Sequence, residues 1–456
     1  MSLSDISESL TTETNSWTQY PITLTHKQIK GLLKSLHQSV YFDSGSDSDR
    51  GKFDILSGEP LAVSRINKNN LKKNKKQNHR PLPFFERERL DIPLHYRNLP
   101  FICGTIGFCS YEFGAHKIID APKILESSSL PSAFFAHYTW SYVYNRETKQ
   151  GYITFSPACT VTTRQKVLTL INDQTVAQKQ TLTSTPWKKT ISFDHYSKKI
   201  ADTLNYIKQG DCYQINLAQQ FECTSNEDSL DLYFNLRQNL NTPYSVFFSF
   251  SEGQNILCFS PEQFMGINNK TITTSPIKGT TESTAVDEID AINALNLQQS
   301  HKNQAENVMI VDLMRNDLSK VCQLNSVKVN KLFHLNTFKN VHHLISEIEG
   351  TLKPGISEFE AFMACFPGGS ITGAPKKRAM EIINELELTG RDAYCGSVFY
   401  WNDDGQFDSN ILIRTIVHSD QKLFCWGGGG IVSDSTAEEE YDESLFKVSN
   451  LTGITC

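Results

Sequence analysis

The spacing of apolar residues predicts a succession of helices and strands along most of the chain. A recurrence every three to four residues predicts helices, and short apolar runs bounded by turn residues predict strands. The helices are predicted at residues 26–36, 193–209, 305–318, 356–366, 376–388 and 437–449. The strands are predicted at residues 53–56, 213–221, 245–250, 255–259, 271–277, 394–401, 411–418 and 422–426. Hairpins interrupted by helices are typical of an α+β protein with antiparallel sheets.

Two parts of the chain differ in how many motifs and predicted helices and strands they contain. Residues 1–190 contain few, whereas residues 191–456 contain most of the predicted elements. Because no internal repeat and no linker rich in proline or serine separates the two parts, we expect one compact structural domain.

The amino-acid composition argues against several classes of protein. The chain has 456 residues, of which 39% are hydrophobic, and a formal net charge of -6. This apolar content suffices for a large core, and the lack of a basic excess argues against nucleic acid as a partner. The eleven cysteines form no CxxC pair, which argues against a zinc site or a disulfide framework. Since neither a signal peptide nor a long apolar segment is present, we expect a cytoplasmic protein with no membrane partner.

One stretch, residues 67–80 with the sequence NKNNLKKNKKQNHR, is strongly basic. Such a stretch can bind nucleic acid or a membrane surface. No aromatic side chain lies between the lysines to stack on bases, so we interpret it as a solvated, mobile loop.

Four glycines at residues 427–430 follow a predicted strand, and several carboxylates come soon after them. Glycine tolerates positive φ and close approach, so this run can present backbone N–H groups to an anion, although a loose turn is an equal interpretation. Glu440, Glu443 and Lys447 share one face of the last predicted helix. That spacing also occurs in surface salt bridges, but the glycines and the carboxylates together favour a binding site.

Glu306 and Lys278 are two further candidates for chemistry. Glu306 opens a predicted buried helix, where a carboxylate needs a cation or the helix N-terminus as its partner. With Glu440 and Glu443 it would offer the oxygen ligands that Mg²⁺ accepts, although spacing alone does not establish such a site. Lys278 lies at the end of a predicted strand in a setting that suits the rim of a cleft. A buried lysine with a lowered pKa can act as a nucleophile.

Several motifs between residues 210 and 450, taken in order, resemble those of the chorismate-utilising enzymes, a family that includes the large subunits of anthranilate synthases. These motifs are GDCYQINLAQQF, SPEQF, SPIKGT, AENVMIVDLMRND, VHHLIS, FPGGSITGAPK, ILIRT and GGGGIVSDSTAEEEYDESLFK. The N-terminal segments FDILSGEP and GTIGFCSYEFG also fit the family. The glycine run departs from the AGAG of many relatives, which is a conservative change.

This resemblance implies a fold and a set of site residues. The fold would be two antiparallel sheets packed as a sandwich with helices outside, and the active site would lie in the cleft between the sheets. The substrate would be chorismate, and Glu306 and Glu443, with Glu440 close by, match Mg²⁺ ligands. The positions that hold the substrate match Arg414, Lys447, Tyr394, Gly428, Gly429 and Gly430. The catalytic positions match Lys278, His343, Thr280 and Glu262, the last as acid and base.

Lys278 also indicates a branch of the family. The PIKGT motif resembles that of aminodeoxychorismate synthases, which act on the route to 4-aminobenzoate and folate, whereas anthranilate synthases have alanine at this position. Gln214 lies where isochorismate and salicylate synthases carry a water-activating lysine. Without a glutaminase signature, ammonia is expected from a separate glutamine amidotransferase subunit. Anthranilate synthase is the nearest alternative, and a non-enzymatic protein that binds through residues 67–80 is a distant one.

Family members also contain a tryptophan pocket. By position it would be formed here by Ser44, Arg50, Gly51, Lys52, Phe53, Pro243, Tyr244 and Ser245. Ordinary core packing between the N-terminal segment and the sheet is an equal alternative. Binding of L-tryptophan therefore stays an open expectation.

Overall fold

The fold was analysed in a computed structural model, which describes residues 16–45, 51–73, 89–172, 184–283, 287–337 and 341–454. Within these ranges there are eleven α-helices, numbered in chain order. They are α1 (His26–Ser35), α2 (Lys68–Lys73), α3 (Tyr111–Ala115), α4 (Val161–Asn172), α5 (Phe193–Lys208), α6 (Ser229–Arg237), α7 (Asp287–Gln299), α8 (His301–Val321), α9 (Glu358–Cys365), α10 (Lys376–Leu386) and α11 (Ala437–Thr452). None of these helices is long and apolar enough to cross a membrane.

The first sheet contains twelve of the described strands, and all of its pairings are antiparallel. The strands are β1 (Thr18–Pro21), β2 (Val40–Asp43), β3 (Phe53–Ser57), β7 (Trp140–Asn145), β8 (Gln150–Phe155), β9 (Lys188–Lys189), β10 (Gln214–Thr224), β11 (Tyr244–Ser251), β12 (Gln254–Ser260), β18 (Gly373–Ala374), β21 (Thr415–Ser419) and β22 (Lys422–Ile431). Their order is β1-β8-β7-β3-β2-β11-β12-β21-β22-β10-β18, and β9 also pairs with β10.

The second sheet contains the other ten described strands, again with antiparallel pairings. They are β4 (Ala62–Ile66), β5 (Gly104–Cys109), β6 (Ala133–Tyr138), β13 (Gln263–Asn268), β14 (Thr271–Thr274), β15 (Ile277–Glu282), β16 (Lys328–Thr337), β17 (Val341–Thr351), β19 (Ser397–Asn402) and β20 (Phe407–Asn410). Their order is β15-β17-β14-β13-β20-β19-β5-β6-β4, and β16 also pairs with β17.

The largest apolar core lies between the two sheets. Phe108 of the second sheet contacts Phe250 of the first with ring centroids 5.4 Å apart, and Phe134 contacts Phe248 at 5.6 Å. A separate cluster packs α1, α4 and α6 on the outer face of the first sheet. The chain therefore has the predicted sandwich of antiparallel sheets with helices outside.

Strands from both parts of the chain are mixed in each sheet. β2 pairs with β11 in the first sheet, and β5 pairs with β19 in the second. This mixing supports the proposal that residues 1–190 and 191–456 form one structural domain.

Several predicted elements need correction. The glycine run 427–430 lies inside β22, not after a strand, because its backbone pairs with β10 along its whole length. Helix α8 begins at His301, so Glu306 lies in its second turn and not at its mouth. The predicted strand 271–277 is interrupted between β14 and β15, and the strands predicted at 394–401 and 411–418 begin later, at β19 and β21.

The basic stretch at residues 67–80 was predicted to be a solvated loop, and part of it is not. Residues 68–73 form helix α2, and the side chain of Lys68 is mostly buried, with three hydrogen bonds. The interpretation as a solvated loop is therefore wrong for Lys68, because its ammonium group has buried partners. Residues 74–80 lie outside the described part of the chain.

Candidate active site

A β-bulge in β15 determines where the side chain of Lys278 lies. Ile277 pairs with Ile345 of β17 and Thr280 pairs with His343, so β15 has one extra residue between these two pairs. Gly279, in this bulge, has a φ of +84°, which a residue with a side chain would adopt only with strain. Bulges change the direction of neighbouring side chains. The Pro-Ile-Lys-Gly-Thr sequence thus forms the local irregularity that places this lysine.

Lys278 is partly buried and lies among charged groups of both signs. Burial lowers its pKa from 10.5, while Glu306 and Glu262 raise it, Lys447 lowers it and Glu443 raises it. The net direction is downward, because desolvation disfavours the ammonium form. This is the direction that nucleophilic chemistry by a lysine requires.

Glu262 is a buried carboxyl group near Lys278. It immediately precedes β13 and is 5% exposed. Burial raises its pKa to about 7, and the positive charge of Lys278 opposes this rise. A carboxyl group with this pKa can both donate and accept a proton near neutral pH, as the predicted acid and base role requires.

Glu440 and Glu443 lie against the glycines of β22. A Cβ atom on Gly429 would lie 2.7 Å from Oε2 of Glu440 and 3.3 Å from Oε1 of Glu443, so only glycine allows α11 to come this close. Oε1 of Glu440 accepts a hydrogen bond from the hydroxyl of Ser435 at 2.7 Å. Nζ of Lys447 lies 2.5 Å from Oε1 of Glu443. The face predicted from spacing is therefore a cluster of charges beside a glycine strand.

Glu306, Glu440 and Glu443 are the candidate ligands of a divalent cation. Among the described residues, no three aspartate, glutamate, histidine or cysteine side chains converge closely enough to hold a metal by themselves. Mg²⁺ does not need this, because it commonly takes one or two protein carboxylates, with water and substrate oxygens as further ligands. Glu306 and Glu443 both act electrostatically on Lys278. Their oxygen donors and shared location fit Mg²⁺ binding.

Arg414 has an unusual backbone conformation, and Tyr394 belongs to an aromatic pair. Arg414 has a φ of +50°, and burial of its guanidinium group lowers its pKa. No acidic partner of Arg414 is found among the described residues, which leaves its charge available to an anion. The ring of Tyr394 stacks on that of Trp426, with centroids 6.0 Å apart and planes 6° apart.

A comparison with known proteins identifies the family. A family model described as chorismate binding enzyme matches residues 38–453. The chain belongs to the chorismate-binding enzyme family. The family prediction made from the motifs is therefore confirmed.

Individual members of this family differ in how much of the chain they match. Aminodeoxychorismate synthase component 1 of Escherichia coli (strain K12) is 36% identical over 429 residues, which cover 92% of this chain and 93% of that protein. Anthranilate synthase component 1 of Acetivibrio thermocellus is 36% identical over 261 residues, which cover 57% of this chain and 53% of that protein.

A solved structure agrees with the fold. The crystal structure of anthranilate synthase component I from Streptococcus pneumoniae TIGR4 has a TM-score of 0.75 with this chain at 26% identity. The match covers 89% of this chain and 93% of that one. The predicted fold class is therefore confirmed.

In this chorismate-binding chain the glycine run acts through close packing. Gly428, Gly429 and Gly430 do not have positive φ, because they are paired strand residues, so that part of the expectation is wrong. The carbonyl oxygen of Gly428 accepts a hydrogen bond from Nζ of Lys447 at 2.9 Å. A Cβ atom on Gly430 would lie 2.0 Å from Nε2 of Gln214. The glycines thus make room for the neutral amide of Gln214.

The remaining catalytic candidates lie on the strand pair that carries Lys278. His343 is buried on β17, and its Cα pairs with that of Thr280 on β15. The side chain of Thr280 lies outside the described part of the chain. Five charged groups are close enough to affect the pKa of Lys278 or Glu262, and they are Lys278, Glu262, Glu306, Glu443 and Lys447.

A second concave site lies between the sheets, near the predicted tryptophan pocket. It is a cavity of about 190 Å³ whose lining includes six of the eight predicted residues, namely Ser44, Lys52, Phe53, Pro243, Tyr244 and Ser245. Gly51 is buried but does not line it, and Arg50 lies outside the described residues. Asp43, which also lines the cavity, forms ion pairs with Arg237 and Arg146. The cavity thus brings predicted residues from both parts of the chain to one location.

Sequence reasoning missed Arg391, a fully buried cation next to Tyr394. It forms an ion pair with Glu387, four residues earlier in sequence, at 2.6 Å. The spacing of these two residues is the one signal that could have found the pair. Nothing in the spacing indicates its other contacts, which lie on distant parts of the chain.

Proposed function

We propose that this chain catalyses the amination of chorismate by ammonia to 4-amino-4-deoxychorismate, on the route to 4-aminobenzoate and folate. The observation that carries the proposal is Lys278, a partly buried lysine with a lowered pKa beside the buried acid Glu262. The proteins that match most of the chain, including that of Escherichia coli, are named aminodeoxychorismate synthase component 1.

Substrate binding follows from the distribution of charge. Chorismate is a dianion, so it needs cations in a site that already holds several carboxylates. One like-charge pair at 4 Å costs about 4 kcal/mol at an effective dielectric near 20. Arg414 and Lys447 would bind substrate carboxylates, with Tyr394 and residues 428–430 lining the same site.

Magnesium is the proposed cofactor. Glu306 and Glu443 would hold it, with Glu440 close by, and when bound it would neutralise the ring carboxylate and polarise the ring for attack. The close approach of Gly429 to the carboxylates of Glu440 and Glu443 supports this assignment, because a side chain at position 429 would displace them.

The proposed reaction has two displacement steps. Nζ of Lys278, as a neutral amine, forms a bond to C2 of chorismate while the C4–O bond breaks, and the hydroxyl takes a proton from Glu262 and leaves as water. Ammonia then forms a bond to C4, the bond between C2 and Nζ breaks, and Glu262 regains a proton from the new ammonium group. His343 and Thr280 are assigned to the region of the departing hydroxyl.

Ammonia would come from a separate glutamine amidotransferase subunit in the cytoplasm. The cavity lined by Ser44 and Tyr244 is the proposed place for L-tryptophan, since its walls combine apolar and polar groups. The proposal includes neither nucleic acid nor a membrane as a partner.

Anthranilate synthase is the second candidate, supported by the named relatives of that activity. The test is product analysis after incubating the purified chain with chorismate, Mg²⁺ and ammonium. The proposal predicts 4-amino-4-deoxychorismate. Fluorescent anthranilate would support the alternative, and no turnover at all would refute both enzyme assignments.

A further inference from the structure

Lys68 begins helix α2 in the basic stretch, yet its ammonium group is enclosed. It donates hydrogen bonds to the carbonyl oxygens of Leu125 at 2.9 Å and Ser128 at 2.8 Å, and to Oδ2 of Asp392 at 2.8 Å. An ammonium group has three protons, so all of them are used. The side chain of Lys68 is 13% exposed and that of Asp392 is 0% exposed. This lysine therefore joins two distant parts of the chain.

Asp392 lies in a turn that needs support. Its φ is +53°, in the left-handed region that costs energy for a residue with a side chain. The N–H groups of Arg391 and Asp392 both donate to Oε1 of Glu112, at 2.6 Å and 3.1 Å. Burial and the carboxylate of Asp392 raise the pKa of Glu112 to about 7, and the positive charge of Lys68 opposes the rise. Removing Lys68 would leave Asp392 without this cation beside a second buried carboxyl group.

Arg391, the neighbour of Asp392 in this turn, contacts two other segments of the chain and the ring of Tyr394. Its guanidinium group donates to the carbonyl oxygen of Asn216 on β10 at 2.7 Å and to that of Ile371 at 2.9 Å. Its guanidinium carbon lies 5.8 Å from the ring centroid of Tyr394. The backbone N–H of Tyr394 donates to the carbonyl oxygen of Arg391 at 2.9 Å. The position of this turn therefore sets the position of the Tyr394 ring.

We propose that Lys68 is a positioning residue for chorismate amination, acting through Asp392 and Arg391 to hold Tyr394 in the site. The proposal rests on the proposed function and on the predicted contact of Tyr394 with substrate. It assigns a role to one lysine of a stretch that otherwise resembles solvated surface. Small displacements of groups that position a substrate lower rates strongly, by about a hundredfold per ångström.

The test compares Lys68→Met with a matched control. Lys270→Met is the control, because Nζ of Lys270 lies 2.6 Å from Oε1 of Glu358, whose side chain is 3% exposed, so it too removes an ion pair with a buried carboxylate. Steady-state kinetics with ammonium should show kcat/KM for chorismate lowered about tenfold to a hundredfold in Lys68→Met and unchanged in the control. Equal losses in both variants, or none in Lys68→Met, would overturn the proposal.

A spectroscopic measurement separates this proposal from the proposed function. The stacked rings of Tyr394 and Trp426 contribute to the near-ultraviolet circular dichroism, and Tyr394→Leu identifies that contribution. Lys68→Met should lose it and Lys270→Met should keep it, whether or not the wild-type chain turns over chorismate. An unchanged signal in Lys68→Met would refute the positioning role.

A second variant covers failure of Lys68→Met to fold. Asp392→Asn keeps a side chain that tolerates left-handed φ but removes the negative charge that Lys68 contacts. It should lower kcat/KM and the ring-pair signal in the same direction by a smaller factor. If Asp392→Asn matches the wild type in both measurements, the proposal is wrong.

Discussion

Replacing Glu262 with glutamine should inactivate the chain and, at alkaline pH, stabilise it. Burial raises the pKa of Glu262 from an ordinary value of 4.5 to about 7, so the folded state holds this proton more tightly than the unfolded state. The free energy of unfolding contributed by this group therefore falls as pH rises from about 4.5 to 7. At about 1.36 kcal/mol per pH unit, the contribution lost is about 3 kcal/mol.

Glu262→Gln cannot ionise and should escape this loss. Urea unfolding at pH 5 and pH 8 measures the free energy of unfolding of both proteins, and the difference between them should shift by about 3 kcal/mol in favour of the variant at pH 8. Turnover should fall because the amide cannot supply the proton for the departing hydroxyl. Glu438→Gln, on the exposed surface of α11, controls for the loss of a carboxylate outside the site. A stability difference that does not change with pH would contradict the raised pKa of Glu262, and near-normal activity in the variant would contradict its role as the acid.

Four further substitutions test the groups proposed to bind Mg²⁺ and chorismate. Glu306→Gln and Glu443→Gln should each lower kcat at least about a hundredfold with the fold retained, because each removes a charged Mg²⁺ ligand. Near-normal turnover of either variant at low Mg²⁺ would contradict the metal assignment. Gly429→Ala should raise the Mg²⁺ concentration that gives half-maximal activity about tenfold, because its Cβ would lie 2.7 Å from Oε2 of Glu440. An unchanged Mg²⁺ titration would contradict the metal assignment. Arg414→Ala should weaken chorismate binding by about 2–5 kcal/mol, measured by calorimetry, and unchanged affinity would remove Arg414 from the substrate site.

The elements that could be predicted from the sequence have strong local patterns. Helices α1, α5 and α10 begin at the predicted residues, because apolar spacing and capping residues are encoded within one segment. Strands β5 and β6 could not be found this way. Every residue in both is buried, so the alternation of apolar and polar residues that marks a half-exposed strand is missing.

In the candidate site, too, residues within local motifs could be predicted, whereas contacts between residues far apart in sequence could not. Lys278, Glu262 and the carboxylates of α11 come from motifs whose order resembles the family. The bulge at Gly279 depends on its register with β17, which the sequence of β15 alone does not specify. The contact between Lys68 and Asp392 spans 324 positions along the chain, so no local pattern could indicate it.

Lys278 is the residue on which the proposed mechanism depends most. Incubating the wild-type chain with chorismate and Mg²⁺ but without ammonia should trap an adduct, seen by mass spectrometry on the peptide that contains PIKGT. Lys278→Ala should lose amination while keeping chorismate binding, and Lys278→Arg should not restore it, because a guanidinium group stays protonated and cannot attack carbon. The proposed mechanism predicts the adduct in the wild type and in neither variant. Full amination by Lys278→Ala, or no adduct on a wild-type chain that is active once ammonia is added, would contradict it and favour direct attack by ammonia.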